Sequence, residues 1–393
     1  MAFSATMNNA TSALIANRLR MATVSSNVSN ASTEGYSRQR LETSFNRDNI
    51  QGNVRFGAGV DIQEVTRMVS EHLVRAEVEQ SQRLGGTEER ADLAGRLDKL
   101  FSEPEGSGVR GSLNNLFSAV NDLTNNPDGG AERSQVIERG KQLADVMGQR
   151  DQRLRDLQFE TDRRVDETIQ GINDDLEKIA DLNKRIVTAE ASTDGEALQM
   201  RDRRDLLMKQ LGENIGVTYH ADKDGNYNVQ LKGTGHSLVQ GGNSYQLERG
   251  NNNVSTSPGS GSPGFEVFGG IQLQERTEVD LTNQLQNQDG KLGAQLTMRD
   301  DTIVDLRNRM DSMATAVVEE VNKVHAESAG LNYRDGMSTD IAVNDVDKAL
   351  VDRTNGLPSG HLFQAGTLEF AVHNKSTDEV EMVTASFNGD ESL

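Results

Sequence analysis

Six histidines, at positions 72, 220, 236, 325, 361 and 373, are the side chains best suited to proton transfer and metal binding. They are scattered. No two stand three or four residues apart, so no helix presents a pair of them to one metal ion. His220, Asp222, Asp224 and Gly225 imitate the opening of a calcium loop, but the first position carries no acid and Leu231 stands where a bidentate glutamate is needed. Gly106, Gly108 and Gly111 have the G-x-G-x-x-G spacing of a dinucleotide loop. That loop needs a strand before it, whereas a helical segment ending in Ser102-Glu103-Pro104-Glu105 precedes these glycines, which therefore read as an inter-helix turn. No G-x-S-x-G elbow or Walker loop occurs, and no cysteine is present to act as nucleophile, thiolate ligand or disulfide. The acid pairs Asp174-Asp175 and Asp300-Asp301 lie on acidic helix faces, where solvation is the default. The sequence offers no catalytic, cofactor-binding or metal site.

Composition narrows the class further. The 393 residues carry a formal net charge of −20, 34% hydrophobic residues, 4% aromatics, five prolines and no tryptophan. Even with 37 glycines counted as apolar, the total stays just under the ~45–50% of ordinary globular chains. The chain can fold, but not around a thick aromatic core. Its length suggests two to four domains. So acidic a chain does not bind nucleic acid unaided, because that requires displacing phosphate counterions with basic side chains. No run approaches 18 consecutive apolar residues, so no membrane insertion is expected. The N-terminus lacks the basic and apolar regions of a cleaved signal peptide.

The apolar residues are concentrated in narrow stripes. Phe3, Met7, Ala10, Leu14, Met21, Val24 and Val28 recur at heptad spacing, with Asn17 in the open slot. A 3.5-residue repeat builds a seam for one partner helix rather than a broad core face. An ordinary amphipathic helix is the alternative, but the residues off the stripe give it little to bury. The helix pattern stops in Asn30-Ala31-Ser32-Thr33-Glu34-Gly35-Tyr36, and residues 36–70 read as extended. A helical pattern resumes near Glu64 and is expected to break at Gly85-Gly86. Helices are then predicted over 87–103, 112–124 and, longest, 132–191, a rod of roughly 90 Å. Its stripe runs through Leu143, Met147, Leu154, Leu157, Val165, Ile169, Ile172, Leu176, Ile179 and Ile186, with a stutter between Leu157 and Val165. A further helix covers 196–211. Residues 215–290 switch to a period of two, with a hairpin at Asp224-Gly225 and strands at 238–239 and 265–268. One helix is expected from Gly290 to near Gly330, and strands at 367–372 and 380–385.

These residues resemble a known family. Asn27-Val28-Ser29-Asn30, Thr33, Gly35-Tyr36-Ser37-Arg38 and Gln39, after a heptad helix, are similar to the N-terminal signature of bacterial flagellar rod, hook and hook-associated proteins. Gln39 after Arg38 is typical of the hook-associated branch. Residues 113–129, 199–241 and 290–330 are similar, in the correct order, to further segments of that branch, so about 1–330 is covered. In this family the seam Phe3, Met7, Ala10, Leu14, Met21, Val24 and Val28 would be an assembly surface.

The resemblance implies a structural protein joining hook to filament. It would be exported without a cleaved signal peptide by the flagellar type III apparatus, with a chaperone, to the extracellular flagellum. Its partners would be further copies in a ring, the hook protein and a second junction protein on the filament side, with no cofactor. The family also ends in a C-terminal heptad helix, which 331–393 does not contain; that segment reads as the opening of an inserted β domain, cut within it. The expected fold is α+β, mostly α: a long coiled-coil-like helical bundle with an N-terminal heptad helix and inserted β-rich segments. Residues 1–40 form the heptad helix and turn of an inner-tube core, 41–214 with 290–330 a helical rod domain, 215–289 a β-rich hairpin segment, and 331–393 the inserted domain. The alternatives are a secreted coiled-coil effector or adhesin, or another rod or hook protein. An enzyme, such as a wall hydrolase fused to a flagellar module, would need an acid pair in a cleft.

Overall fold

The computed structural model describes residues 2–45, 49–51, 54–56, 59–102, 108–192, 197–253, 268–326, 347–349, 352 and 366–387. In chain order the elements are helix α1 (Ala2–Ser29), strands β1 (Gln39–Phe45), β2 (Asn49–Gln51), β3 (Val54–Phe56) and β4 (Val60–Arg67), and helices α2 (Glu71–Phe101), α3 (Gly108–Asn125), α4 (Gly130–Ser192) and α5 (Leu198–Asn214). Strands β5 (Val217–Ala221), β6 (Tyr227–Leu231), β7 (Ser237–Gln240), β8 (Asn243–Ser244), β9 (Leu247–Asn253), β10 (Gly269–Leu273) and β11 (Arg276–Asp280) follow. Helices α6 (Thr282–Gln286) and α7 (Lys291–Thr297), a π-helical turn at Met298–Thr302, helix α8 (Ile303–Ala326) and strands β12 (Gly366–Asn374) and β13 (Glu379–Phe387) complete the order. The fold is α+β and mostly α, with small antiparallel sheets.

The chain forms two compact units, one of residues 1–104 and 148–307, the other of 105–147 and 308–393. The first holds one apolar core. Val165, Ile169, Ile172, Leu176, Ile179 and Ile186 of α4 are all buried in it. Their steps of three and four keep them on one face of the helix. Against them lie Leu207, Met208 and Leu211 of α5, and Val229, Leu231, Leu238 and Val239 of the sheet ordered β5-β6-β7-β8. Ile271 and Leu273 of the sheet ordered β11-β10-β9 join the same cluster, as do Leu292 and Leu296 of α7. Charged residues bridge the elements around this core. Arg164 reaches Glu89 and Asp92 on α2, Arg249 of β9 grips Asp162 and Asp166, and Arg307 pairs with Asp151.

The structure corrects the sequence reading in three places. Residues 60–63 are extended as expected, but 64–67 continue strand β4 rather than starting a helix, the strand pairing with β1 from Gln39↔Arg67 to Phe45↔Val60. Helix α2 then runs unbroken through Gly85 and Gly86. These glycines serve close approach instead: a Cβ on Gly85 would collide with the backbone carbonyl of Glu213, and one on Gly86 would lie 3.0 Å from the Gly290 nitrogen. The helix expected from Gly290 is two helices joined by the π-helical turn, whose extra residue per turn aims both Arg299 and Asp300 inward. Strands β9, β10 and β11 are new, while the strand expected at 265–268 lies, except for Phe268, outside the described residues.

In the second unit Leu116, Ala119 and Leu143 are buried. Phe117, Ile137, Val318, Val321 and Val324 are exposed. Strands β12 and β13 pair in unbroken register from Gly366↔Phe387 to Asn374↔Glu379.

The ion pairs carry a pH dependence. Hydrogen bonds from Arg96 and Arg164 hold Asp92 below its ordinary value of 3.8, and Arg201 with the Ala197 N–H holds Glu190 below its ordinary 4.5. A carboxylate whose folded value is depressed stabilises the fold above its unfolded value, and that stabilisation is lost as pH falls through the folded one. Burial raises Asp175, whose contribution has the opposite sign. Thermal melting of the chain is expected to be level from pH 7 to 5 and to fall below about pH 4. The Glu190→Gln variant would lose part of that acid dependence; an unchanged profile would remove Glu190 from this account.

Candidate functional site

Helix α1 has two unlike faces. The face turned to the ribbon β1–β4 is polar: Ser12 Oγ accepts the Val60 N–H at 3.3 Å, and Arg20 Nη2 donates to Thr43 Oγ1 at 2.9 Å. Among the described residues Ala16 and Leu41 are the buried apolar ones in this part of the chain. The other face carries the heptad stripe. Leu14, Met21 and Val28 are 70%, 74% and 71% exposed. Met7, Ala10 and Val24 are exposed as well, and the Phe3 side chain lies outside the described residues. The helix thus leaves its heptad stripe in solvent while Ser12, Arg20 and Asn27 bond to its own chain.

The turn after α1 is where the signature residues meet. Asn27 acts as a substitute strand neighbour. Its Nδ2 donates to the Gln39 carbonyl and its Oδ1 accepts the Gln39 N–H, both at 2.9 Å. The same Oδ1 accepts the Tyr36 hydroxyl at 2.9 Å. Asn30 Nδ2 caps the helix end by donating to the Ser26 carbonyl at 3.0 Å, and Thr33 Oγ1 donates to Asn30 Oδ1 at 3.4 Å. The Tyr36 N–H bonds the Thr33 carbonyl, which closes the turn. Gly35 sits at φ +78°, in the left-handed region that suits glycine, with a Cβ position 3.1 Å from Leu206 Cβ. Arg38 is exposed, and its carbonyl accepts the Met68 N–H at 2.8 Å.

Beyond the signature lies a charged knot that the sequence reading missed. The Ser37 N–H donates to Asp202 Oδ2 at 3.2 Å. Arg67 Nη1 donates to Asp202 Oδ1 at 2.9 Å and to Asp205 Oδ2 at 2.8 Å. The Tyr227 hydroxyl donates to Asp205 Oδ1 at 2.8 Å, and the Arg204 guanidinium stacks 3.6 Å from the centre of the Tyr227 ring. Burial alone would lower Arg67, but the two aspartates outweigh it and hold its pKa above the ordinary arginine value. Burial, reinforced by Asp205, pushes the Tyr227 phenol well up, so it stays a donor. The local signal was two acids three residues apart on α5, which places both carboxylates on one face.

Among the described residues no group of three or more histidines and acids could hold a metal ion. A groove of about 650 Å³ between α2 and α4 is lined by Asp92, Arg96, Lys99, Arg153, Asp156, Glu160 and Arg163, a mixed ionic surface rather than an acid–base pair. No described helix is long and apolar enough to cross a membrane.

The chain is similar to known proteins. Residues 94–339 match the family described as flagellar hook-associated protein FlgK helical domain, and residues 7–36 match the flagella basal body rod protein family. The chain is similar to flagellar hook-associated protein 1 of Salmonella typhimurium, 26% identical over 329 residues, covering 82% of this chain and 57% of that protein. A similar match to flagellar hook-associated protein 1 of Bacillus subtilis is 26% identical over 231 residues, covering 56% of this chain and 44% of that one. The chain thus matches about half the length of these relatives, 57% of the first and 44% of the second. Among solved structures, that of the flagellar hook junction protein FlgK from Burkholderia pseudomallei aligns with a TM-score of 0.46 at 25% identity, covering 56% of this chain and 38% of that one.

Proposed function

Because the chain belongs to the flagellar hook-associated protein FlgK family, matched over 94–339, we propose that it is a structural axial protein that joins hook to filament and has no catalytic role. The observation that carries this reading is the inverted helix α1, whose apolar stripe is left uncovered while its polar face is tied to the ribbon β1–β4. On this reading Met7, Ala10, Leu14, Met21, Val24 and Val28, with Phe3, bury against helices of neighbouring copies in a ring. Residues 1–40 line the innermost layer, with the hook protein on one side and a second junction protein on the other. Delivery would be through the flagellar export apparatus, without a cleaved signal peptide.

The test is a seam variant, Met21→Asp with Val24→Asp. Both positions are exposed, so monomer stability should stay within about 0.5 kcal/mol of the parent by thermal melting. Burying two charges in a helix seam is prohibitive, so filament attachment should be lost. Normal motility in cells carrying only this variant would sink the reading. A secreted effector or adhesin would instead show no flagellar protein co-purifying with the chain.

A further inference from the structure

We infer that Asp128, which precedes Gly129 in the turn joining α3 to α4, is a site where the chain converts spontaneously to isoaspartate, and that the fold protects the other two described aspartate–glycine pairs. The inference is independent of the assembly reading above.

Five aspartates in this sequence precede a glycine, at 128, 194, 224, 289 and 335. Residues 194 and 335 lie outside the described residues. Glycine has no Cβ, so its amide nitrogen has the freedom to reach the side-chain carboxyl of the residue before it. That nitrogen forms a bond to Cγ, its hydrogen and the carboxyl hydroxyl leave as water, and a cyclic imide results. Water then adds to one of the two ring carbonyls. Opening at the side-chain carbonyl restores aspartate. Opening at the main-chain carbonyl leaves the chain running through Cβ and Cγ, with the former main-chain carbon as a free carboxylate. One water leaves and one returns, so no oxidant, reductant or further reactant is needed.

The three described pairs differ in what holds the reacting atoms. Each glycine N–H is hydrogen-bonded: Gly129 to the Asn126 carbonyl at 3.1 Å, Gly225 to the Asp222 carbonyl at 3.1 Å, and Gly290 to the Gln82 carbonyl at 2.9 Å. The ring closes only when that bond opens, so the cost of local opening sets the rate. At Asp128 the cost is small. The bond spans a single turn, Asp128 is exposed, and its side chain has no partner among the described residues. The Gly129 carbonyl accepts the Arg133 N–H at 3.2 Å at the very start of α4, where helices fray first. At Asp224 the neighbouring groups are pinned. Asp222 Oδ1 accepts the N–H groups of Asp224 and Asn226 at 3.0 and 2.9 Å, and the buried Arg204 holds the Gly225 carbonyl at 2.8 Å. At Asp289 opening would break tertiary structure. Gly290 is buried, its bond to Gln82 joins the start of α7 to α2, and Lys232 Nζ holds Asp289 Oδ2 at 3.0 Å.

Conversion adds one carbon to the main chain between Asp128 and Gly129. Bonds cross that point. Asn126 Nδ2 donates to Glu132 Oε1 at 3.0 Å, and Arg133 grips the Pro127 carbonyl through Nε and Nη2 at 3.1 and 2.9 Å. A longer link cannot keep all of them, so the product loosens the first turn of α4.

The three pairs fall on separate tryptic peptides, so one map reads them all. The full chain is aged for weeks at neutral pH and body temperature, both native and in urea, and isoaspartate on each peptide is counted by fragmentation mass spectrometry. In the native chain the Asp128 peptide should gain isoaspartate about tenfold faster than either of the others, the ratio that a difference of about 1.4 kcal/mol in opening produces. In urea the three rates should converge. Asp128→Glu, which would need a larger ring, should leave its peptide unmodified and melt with the parent. Hydrogen exchange across 126–133 should be faster in the aged native chain. Equal native rates at the three pairs, or a native Asp128 peptide that stays unmodified while it converts in urea, would overturn the inference. Rates that still differ tenfold in urea would show that local sequence selects the site, and would overturn the protection of Asp224 and Asp289. Unchanged exchange across 126–133 after conversion would refute the loosened turn.

Discussion

Arg299→Ala is expected to destabilise the chain by about 3–5 kcal/mol, because it strands a buried carboxylate. The Arg299 side chain is 2% exposed in the π-helical turn between α7 and α8. Its Nε and Nη2 bind the two oxygens of Asp300 at 2.6 and 2.8 Å, and its Nη1 binds Asp162 on α4 at 2.6 Å. Gln286 donates to Asp300, and Gln158 donates to the Arg299 carbonyl, so no polar group of the turn faces the core alone. Burial works against the charge on Arg299, yet the two aspartates more than offset it and its pKa lies above the ordinary value. Lysine cannot replace a planar fork that serves three oxygens, so Arg299→Lys should recover little. The pair Arg299→Met with Asp300→Leu removes both charges and should cost less than Arg299→Ala alone. Urea unfolding of the three variants checks this. If Arg299→Ala melts with the parent, the network is ornamental.

The second large effect is steric. Gly290 opens α7 at φ +100°, where a side chain is strained, and a Cβ there would sit 2.8 Å from the backbone nitrogen and Cα of Ile215. Its own N–H donates to the Gln82 carbonyl at 2.9 Å. Gly290→Ala must therefore move either α7 or the end of α5 away from α2. Backbone strain of about 1–2 kcal/mol and overpacking of about 1–3 kcal/mol together predict a loss of several kcal/mol. Gly85→Ala, aimed at the Glu213 carbonyl, should be comparable. Gly95, on the same helix as Gly85, has open space around it, and Gly95→Ala should stabilise by about 0.5–1 kcal/mol. Opposite signs from two glycines on one helix would confirm that contact decides the outcome; the same sign at both would refute it.

What the sequence disclosed follows from the range of each interaction. The stripe through Ile169, Ile172, Leu176 and Ile179 was legible because burial on one helix face repeats locally. The hairpin at Asp224-Gly225 was legible because Gly225 must reach φ +80°. Strand β9, Leu247–Asn253, was not, since most of it is polar. It is held by Arg249 on Asp162 and Asp166 and by the Asn173 amide, all some 80 residues earlier on α4. Gly85 and Gly86 misled because a glycine pair in isolation signals a break, and only the crossing partner shows why a helix retains it. Within the candidate site, the signature from Asn27 to Gln39 could be read as a unit, because its bonds close within twelve residues. The charged knot could not, because Arg67 and Asp202 are 135 residues apart.

The inverted helix also alters the energetics of docking. Fixing a backbone residue costs roughly 1–2 kcal/mol, and each fully buried apolar side chain returns about 1.5–3 kcal/mol. A free segment the length of α1, 28 residues, would spend more on becoming ordered than its few seam side chains could return. Ser12, Arg20 and Asn27 tie the folded helix to the ribbon and offset a small part of that cost. The rest must come from the encounter between copies, where water is released from Leu14, Met21 and Val28 with each seam that closes.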